Sequence, residues 1–116
     1  MPSIRNSNVV DIVLWLFRQR QRFRVDGVSM LPLLQPGDEV LVDRKAYVRS
    51  PPAVEDIVVC SSPHRPQMRL IKRVVSIDPR GNCFVRGDNI SQSTDSRMFG
   101  WIAPQLILGR VTSKFL

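Results

Sequence analysis

The 116-residue chain has one histidine, two cysteines and three lysines, and each scarcity removes chemistry. His64 and the distant Cys60 and Cys83 are too few ligands for a histidine-based zinc site, and any Ser-His-Asp triad would need His64 itself. Of the 17 basic residues, 14 are Arg, whose guanidinium keeps its proton. Lys45, Lys72 and Lys114 are therefore the lysines from which a neutral base could be drawn. Long apolar runs are missing too. The stretch Val9 to Phe17 contains Asp11 and covers about half of the ~20 residues that a bilayer crossing needs. It also lacks the order of a secretory signal, because its positive charges follow the apolar stretch and no small-residue cleavage site comes after it.

What is present suits one modest globular domain: 43% of the residues are apolar, and no repeat or low-complexity tract occurs. The net charge of +7 is uneven, with +4 carried by residues 1–24 through Arg5, Arg18, Arg20, Arg22 and Arg24 against Asp11. Val9, Ile12, Val13, Leu16 and Phe17 recur at helical spacing, which predicts an amphipathic helix of about ten residues with Arg18 and Arg20 at its C-terminal end. Such a helix could dock on its own domain, lie in a membrane interface or bind a partner. Residues 1–22 are accordingly read as an N-terminal helix and Arg-rich segment, and 23–116 as the main domain.

From Phe23 onward, short apolar stretches alternate with turn residues. Strands are expected over Phe23–Val28, Glu39–Asp43, Asp56–Cys60, Met68–Ile77, Cys83–Arg86 and Ile107–Val111, with turns at Gln35-Pro36-Gly37-Asp38 and Asp78-Pro79-Arg80-Gly81-Asn82. Without long helices between them, these strands argue for a mainly β fold, an antiparallel sandwich or partly open barrel with a short N-terminal helix.

Three segments carry chemical content. Ser29, in Asp26-Gly27-Val28-Ser29-Met30-Leu31-Pro32, follows a strand and would present its hydroxyl at a turn; taken alone it is an ordinary turn residue. In Met68–Val75, strand alternation puts Leu70, Lys72 and Val74 on one face and Ile71, Arg73 and Val75 on the other, so one cation must point toward apolar neighbours. A buried Arg stays charged, whereas a buried Lys can lose its proton and act as a general base; the competing reading is a Lys whose stem reaches solvent. The third segment, Gly87 to Gly100, is rich in Ser, Asp and Arg and could be a surface loop or could brace a site through an Asp95–Arg97 pair.

In order and wording these segments resemble the boxes of the signal peptidase I family, serine proteases with a Ser-Lys dyad. Ser29-Met30-Leu31-Pro32 is similar to the nucleophile box, and Pro36-Gly37-Asp38-Glu39-Val40-Leu41-Val42 to the next. Glu55-Asp56-Ile57-Val58-Val59 with Leu70-Ile71-Lys72-Arg73-Val74-Val75 is similar to the base-bearing box. Gly87-Asp88-Asn89 and Ser93-x-Asp95-Ser96-Arg97-x-x-Gly100 resemble the last. The resemblance covers residues 23 to 111 and implies Ser29 as nucleophile, Lys72 as base, Ser93 as the residue orienting Lys72, and Asp95 with Arg97 as a brace beneath the site. It also implies the Ser29 N–H as an oxyanion donor, Gly27 where some members carry a second donor hydroxyl, Met30 shaping the substrate pocket, and no metal or cofactor.

Signal peptidases of this type carry N-terminal membrane helices and, in larger members, a β domain between the base and the last box; here about 14 residues separate Lys72 from Gly87. In size, in Arg22-Phe23-Arg24-Val25 and in Ser93–Gly100 the chain is most similar to nickel-type superoxide dismutase maturation proteases. That branch implies a precursor protein as substrate, nickel superoxide dismutase in particular, and no nucleic acid. A cytoplasmic location is expected, with peripheral membrane contact through residues 9–24 left open. The alternatives are general signal-peptidase processing at a membrane surface, a nucleic-acid module using Arg18 to Arg24, a self-cleaving repressor, or a precursor-binding adaptor that does not cut. The repressor reading lacks its Ala-Gly or Cys-Gly cleavage dipeptide. Cys60 and Cys83 are read as two buried thiols, and a Cys60–His64 pair is disfavoured because His64 sits in a Pro-rich loop.

Overall fold

The computed structural model describes residues 4–16 and 20–115. Six strands form one curled antiparallel sheet: β1 (Gln21–Arg24), β2 (Glu39–Asp43), β3 (Ile57–Ser61), β4 (Arg69–Ile77), β5 (Cys83–Arg86) and β6 (Ile107–Lys114), in the spatial order β1-β2-β6-β3-β4-β5. The fold is mainly β, as expected, and of the two expected forms the partly open barrel describes it. Among the described residues three short α-helices accompany the sheet: α1 (Val9–Leu16), α2 (Ala46–Arg49) and α3 (Ser96–Phe99).

Alternating apolar residues give the sheet a core on each face. Val40, Val42, Ile57 and Val59 pack with Val25, Met30, Leu34 and Val111, while Val58, Cys60 and Val74 pack with Cys83, Val85 and Ile102. β3 is thus buried on both faces, which is why its sequence reads as a continuous apolar run. Each such fully buried Val or Leu contributes about 1.5–3 kcal/mol.

β4 is the longest strand, and its two edges are used unequally. Arg69 to Arg73 pair with β3, but β5 joins the other edge only from Arg73 onward. Among the described residues, the outer edge of Arg69–Lys72 carries no ladder. The chain from Val25 to Leu34, which connects β1 to β2, packs into the neighbouring core through Val25, Met30 and Leu34.

The expected N-terminal helix is present as α1, with Val9 and Val13 of its apolar stripe exposed and Ile12 half-buried; Phe17 and Arg18 lie outside the described residues. Val9 and Val10 are 78% and 64% exposed and Val13 is exposed, whereas Asp11 is 2% exposed. Capping explains this orientation. The Asn8 N–H donates to Asp11 and the Asp11 N–H donates to the Asn8 side chain, each at 3.0 Å, a reciprocal arrangement that uses two otherwise orphaned donors. Arg5 completes the burial of the carboxylate with a two-pronged ion pair. One turn on, Trp15 meets the Phe115 ring edge-on at 5.0 Å, and residues 5–7 hydrogen-bond alongside the end of β6.

Candidate active site

Ser29 sits in the turn that follows β1, and the chain there is fixed from outside. The Asn89 N–H donates to the Ser29 carbonyl at 2.8 Å, and Asn89 Nδ2 donates to the Val28 carbonyl at 3.0 Å. The Asp88 N–H approaches Met30 Sδ at 3.4 Å. Gly87-Asp88-Asn89 is therefore the mount on which the Ser29 turn rests. Gly87 is required there by close approach, because a Cβ would fall 2.2 Å from Ser93 Oγ and 2.5 Å from the Ser29 carbonyl oxygen.

Ser29, Met30 and Lys72 line one small cavity of about 90 Å³, with Arg24, Val25, Asp26, Arg69, Leu70 and Ile71 completing its wall. Lys72 is 3% exposed and stands opposite Val58 across the β3–β4 ladder, on a face shared with Cys60 and Val74. The sequence had left open which cation would point inward; the outcome is that both Lys72 and Arg73 are buried, in different company. Burial pushes the Lys72 pKa below its ordinary 10.5, the Asp95 charge opposes that fall, and the Arg97 charge adds to it.

Lys72 Nζ donates to Ser93 Oγ at 3.0 Å, and Ser93 Oγ donates to Asp95 Oδ2 at 2.9 Å. Asp95 is fully buried and also accepts from the Gly87 N–H and from the Arg97 N–H, Nε and Nη2, which makes it the N-cap of α3 as well as the hub of the loop. Burial alone would raise its pKa; the hydrogen bonds from Arg97, Gly87 and Ser93 outweigh burial and bring it to about 2. The segment from Ser93 to Arg97 thus places a neutral hydroxyl next to Lys72 and keeps the carboxylate one hydrogen bond further away.

Gly27 differs from Met30 in its placement. It is not among the residues lining the cavity and adopts a left-handed φ of +76°, with open space where a Cβ would stand. A side-chain hydroxyl at this position would require a backbone conformation costing roughly 1 kcal/mol or more outside glycine.

Arg73 and Asp88 form a bidentate pair, with Nε–Oδ1 and Nη2–Oδ2 both 2.9 Å and both side chains nearly inaccessible. The pair ties the strand position after Lys72 to the mount beneath Ser29. Both residues fall within the boxes of the family resemblance, which does not link them. A cation directly after Lys72 and an Asp directly after Gly87 were the available signal, but nothing in their spacing pairs them.

Among the described residues of the N-terminal arginine strip, the side chains have separate surroundings, and Arg18 lies outside the described residues. Arg22 pairs with Glu39 and lies over the Phe115 and Trp15 rings, Arg20 stands 3.7 Å from Asp43, and Arg24 lines the Ser29–Lys72 cavity. Cys60 and Cys83 are free and buried in one apolar cluster, and desolvation pushes their thiols up to about 12 and about 11. His64 is exposed in the β3–β4 turn, away from Cys60 in the core.

The family model of signal peptidase, peptidase S26, matches residues 7–80 and 77–116. The chain belongs to that family. The two matched stretches meet at the β4–β5 turn, between Lys72 and Gly87, the interval that the motif spacing shows to be short. This signal peptidase family member is 36% identical to the mitochondrial ATP-independent inner membrane protease subunit 1b of Arabidopsis thaliana, an alignment covering 73% of the chain and 63% of that relative. It is 26% identical to the probable signal peptidase I-1 of Synechocystis, covering 99% and 80% respectively. It is 31% identical to the human mitochondrial inner membrane protease subunit 1, covering 76% and 64%. The chain therefore spans just under two thirds of two of these three relatives.

Proposed function

We propose that the chain is a serine endopeptidase of the signal peptidase I type that removes an N-terminal peptide from a precursor protein, with Ser29 as nucleophile and Lys72 as its base. The observation that carries this reading is the single cavity lined by Ser29 and by a buried lysine whose ammonium form is disfavoured. Neutral Lys72 takes the Ser29 proton as Oγ attacks the scissile carbonyl, and the Ser29 N–H donates to the developing oxyanion. The resulting ammonium returns the proton to the departing amine, and a water activated by the same lysine hydrolyses the acyl-enzyme. Ser93 holds the lysine, and the Asp95–Arg97 pair holds Ser93. The unpaired edge of Arg69–Lys72 offers main-chain partners to an extended substrate, and a cavity of about 90 Å³ suits a small side chain at the cleaved bond.

General precursor processing is favoured over one dedicated substrate, since the relatives named above are inner membrane proteases and a signal peptidase. Maturation of nickel-type superoxide dismutase is the narrower reading and rests on the wording of Arg22–Val25 and Ser93–Gly100. A membrane-surface location is supported by Val9, Val10 and Val13, which are exposed on α1. No helix among the described residues is long and apolar enough to cross a membrane.

The test mixes purified protein with a signal-peptide-bearing precursor and with a nickel superoxide dismutase precursor, and maps new N-termini by mass spectrometry. Ser29→Ala and Lys72→Ala should each abolish cleavage with the fold retained by circular dichroism. Continued cleavage by Ser29→Ala would sink the mechanism, and cutting of the first precursor alone would retire the nickel reading.

A further inference from the structure

Two guanidinium groups at the rim of the Ser29–Lys72 cavity take no part in the chemistry just proposed. Arg24 ends β1 and Arg69 begins β4, and both line the cavity. Arg69 reaches toward β1, its guanidinium carbon 5.7 Å from the centroid of the Phe23 ring. Both side chains belong to exposed residues. Among the described residues neither has a carboxylate within ion-pair distance, whereas Arg5, Arg22, Arg73 and Arg97 all do. Asp26 lines the same cavity and pairs with neither.

Two cationic side chains lining one cavity favour an incoming anion, and the planar fork of Arg matches a carboxylate in particular. The position of the pair says where that carboxylate would come from. Arg69 is on the unpaired edge of β4, three residues before Lys72, so a peptide extended along this edge passes both arginines on its way to Ser29. At about 3.3 Å per residue, such a peptide brings a side chain to Arg69 within about four residues of the bond being cut.

We propose that Arg24 and Arg69 form a specificity site for an Asp or Glu side chain of the precursor, within about four residues of the cleaved bond. The site deepens the endopeptidase reading and rests on it. It adds an acidic residue near the cut to the small residue that the cavity volume favours.

The test uses a cleaved peptide and a set of pairs carrying Glu or Gln at each of the four positions on either side of the mapped bond. Wild-type protein should prefer Glu at one position by about fivefold or more in kcat/KM at low salt, mostly through KM, and the preference should shrink as NaCl is added. Arg24→Gln and Arg69→Gln, singly and together, should bring the Glu-to-Gln ratio toward one, and Arg69→Glu should favour a Lys peptide at that position. Equal cleavage of Glu and Gln peptides at every position, or a preference that survives the double variant, would overturn the proposal. So would ratios of one throughout combined with loss of phosphatidylglycerol-vesicle binding in the double variant, which would assign the arginines to a lipid surface. The same pairs titrated by fluorescence anisotropy against Ser29→Ala read the arginine site without cleavage. A Glu preference there, with no peptide cut by the wild type, would sink the endopeptidase reading and leave the acidic site standing.

Discussion

Removing the Ser93 hydroxyl gives the sharpest test of how Lys72 is controlled, because it should change two quantities in ways that a packing defect would not. Ser93 Oγ accepts from Lys72 Nζ at 3.0 Å and passes its own proton toward Asp95 at 2.9 Å. In Ser93→Ala the ammonium form of Lys72 loses a charge-assisted hydrogen bond of about 1.5–3 kcal/mol, and the neutral amine loses a weaker one of about 1 kcal/mol. The difference, of order 1 kcal/mol, lowers the Lys72 pKa further by about 0.5–1 unit. Activity requires neutral Lys72, so kcat/KM rises with pH through that pKa, and the acid limb of the profile should move to lower pH by the same amount. The plateau should fall meanwhile by about 10- to 100-fold, since the amine is no longer aimed at Ser29. Asp95→Asn should move the limb the same way, because the Asp95 charge raises the Lys72 pKa. The assay is kcat/KM on one peptide across pH, with thermal melting to confirm folding. A limb that stays in place or moves upward while the plateau falls would refute the relay and reduce Ser93 to packing.

Other substitutions probe the supports. Asp88→Ala strands the buried Arg73 cation and should cost about 3–5 kcal/mol, seen as a loss in thermal melting of more than ~10 °C. Gly87→Ala drives a methyl group into Ser93 Oγ and the Ser29 carbonyl, and should reduce kcat about 100-fold or more with a destabilisation of only about 1–3 kcal/mol in chemical denaturation. Lys72→Met should abolish cleavage yet raise stability at neutral pH. With its folded pKa below 10.5, Lys72 is protonated more readily in the unfolded chain, which therefore gains on the folded state as pH falls through that window. Asp95 shares that pH direction but stabilises the fold at neutral pH, where Lys72 costs stability. Its folded pKa of about 2 contributes stability above the unfolded value near 3.8, which should be lost in denaturation curves as pH drops toward 2.

Strands were legible where both ends carry turn chemistry. β2 and β5 match the expected Glu39–Asp43 and Cys83–Arg86, each bounded by Pro, Gly, Asn or Asp. β1 was misplaced for a reason local sequence does not hold. Its apolar residues run to Val28, but the partner β2 begins at Glu39 opposite Arg24, and Val25 already belongs to the turn closed by its hydrogen bonds with Asp38 and Gly37. β6 runs past Val111 to Lys114 because β2 continues to pair with it there. Within the site, the strand pattern left open whether Lys72 is buried or reaches solvent, and the resemblance to the base-bearing box singled it out; the structure buries it. The Arg73–Asp88 pair was not legible, since each residue looks like ordinary surface charge until the fold brings them together. Asp11 was read as an interruption of an apolar run; its part as a capping partner, which turns the valines outward, depends on Asn8 and Arg5 at once.

The opposing charges around Lys72 explain why the last box has the composition it does. A carboxylate in direct contact with the amine would hold it as an ammonium ion, and an apolar contact would leave it free to rotate away from Ser29. Ser93 avoids both by presenting an oxygen that accepts from Lys72 while its proton is committed to Asp95. Asp95 in turn must be charged to anchor the loop, and Arg97 pairs with that charge at 2.9 Å. Arg97 therefore both braces the loop and offsets the effect of Asp95 on Lys72, and the two charges act on the amine with opposite signs. Replacing Arg97 with a neutral residue would leave the Asp95 charge unbalanced and should move the acid limb of kcat/KM to higher pH.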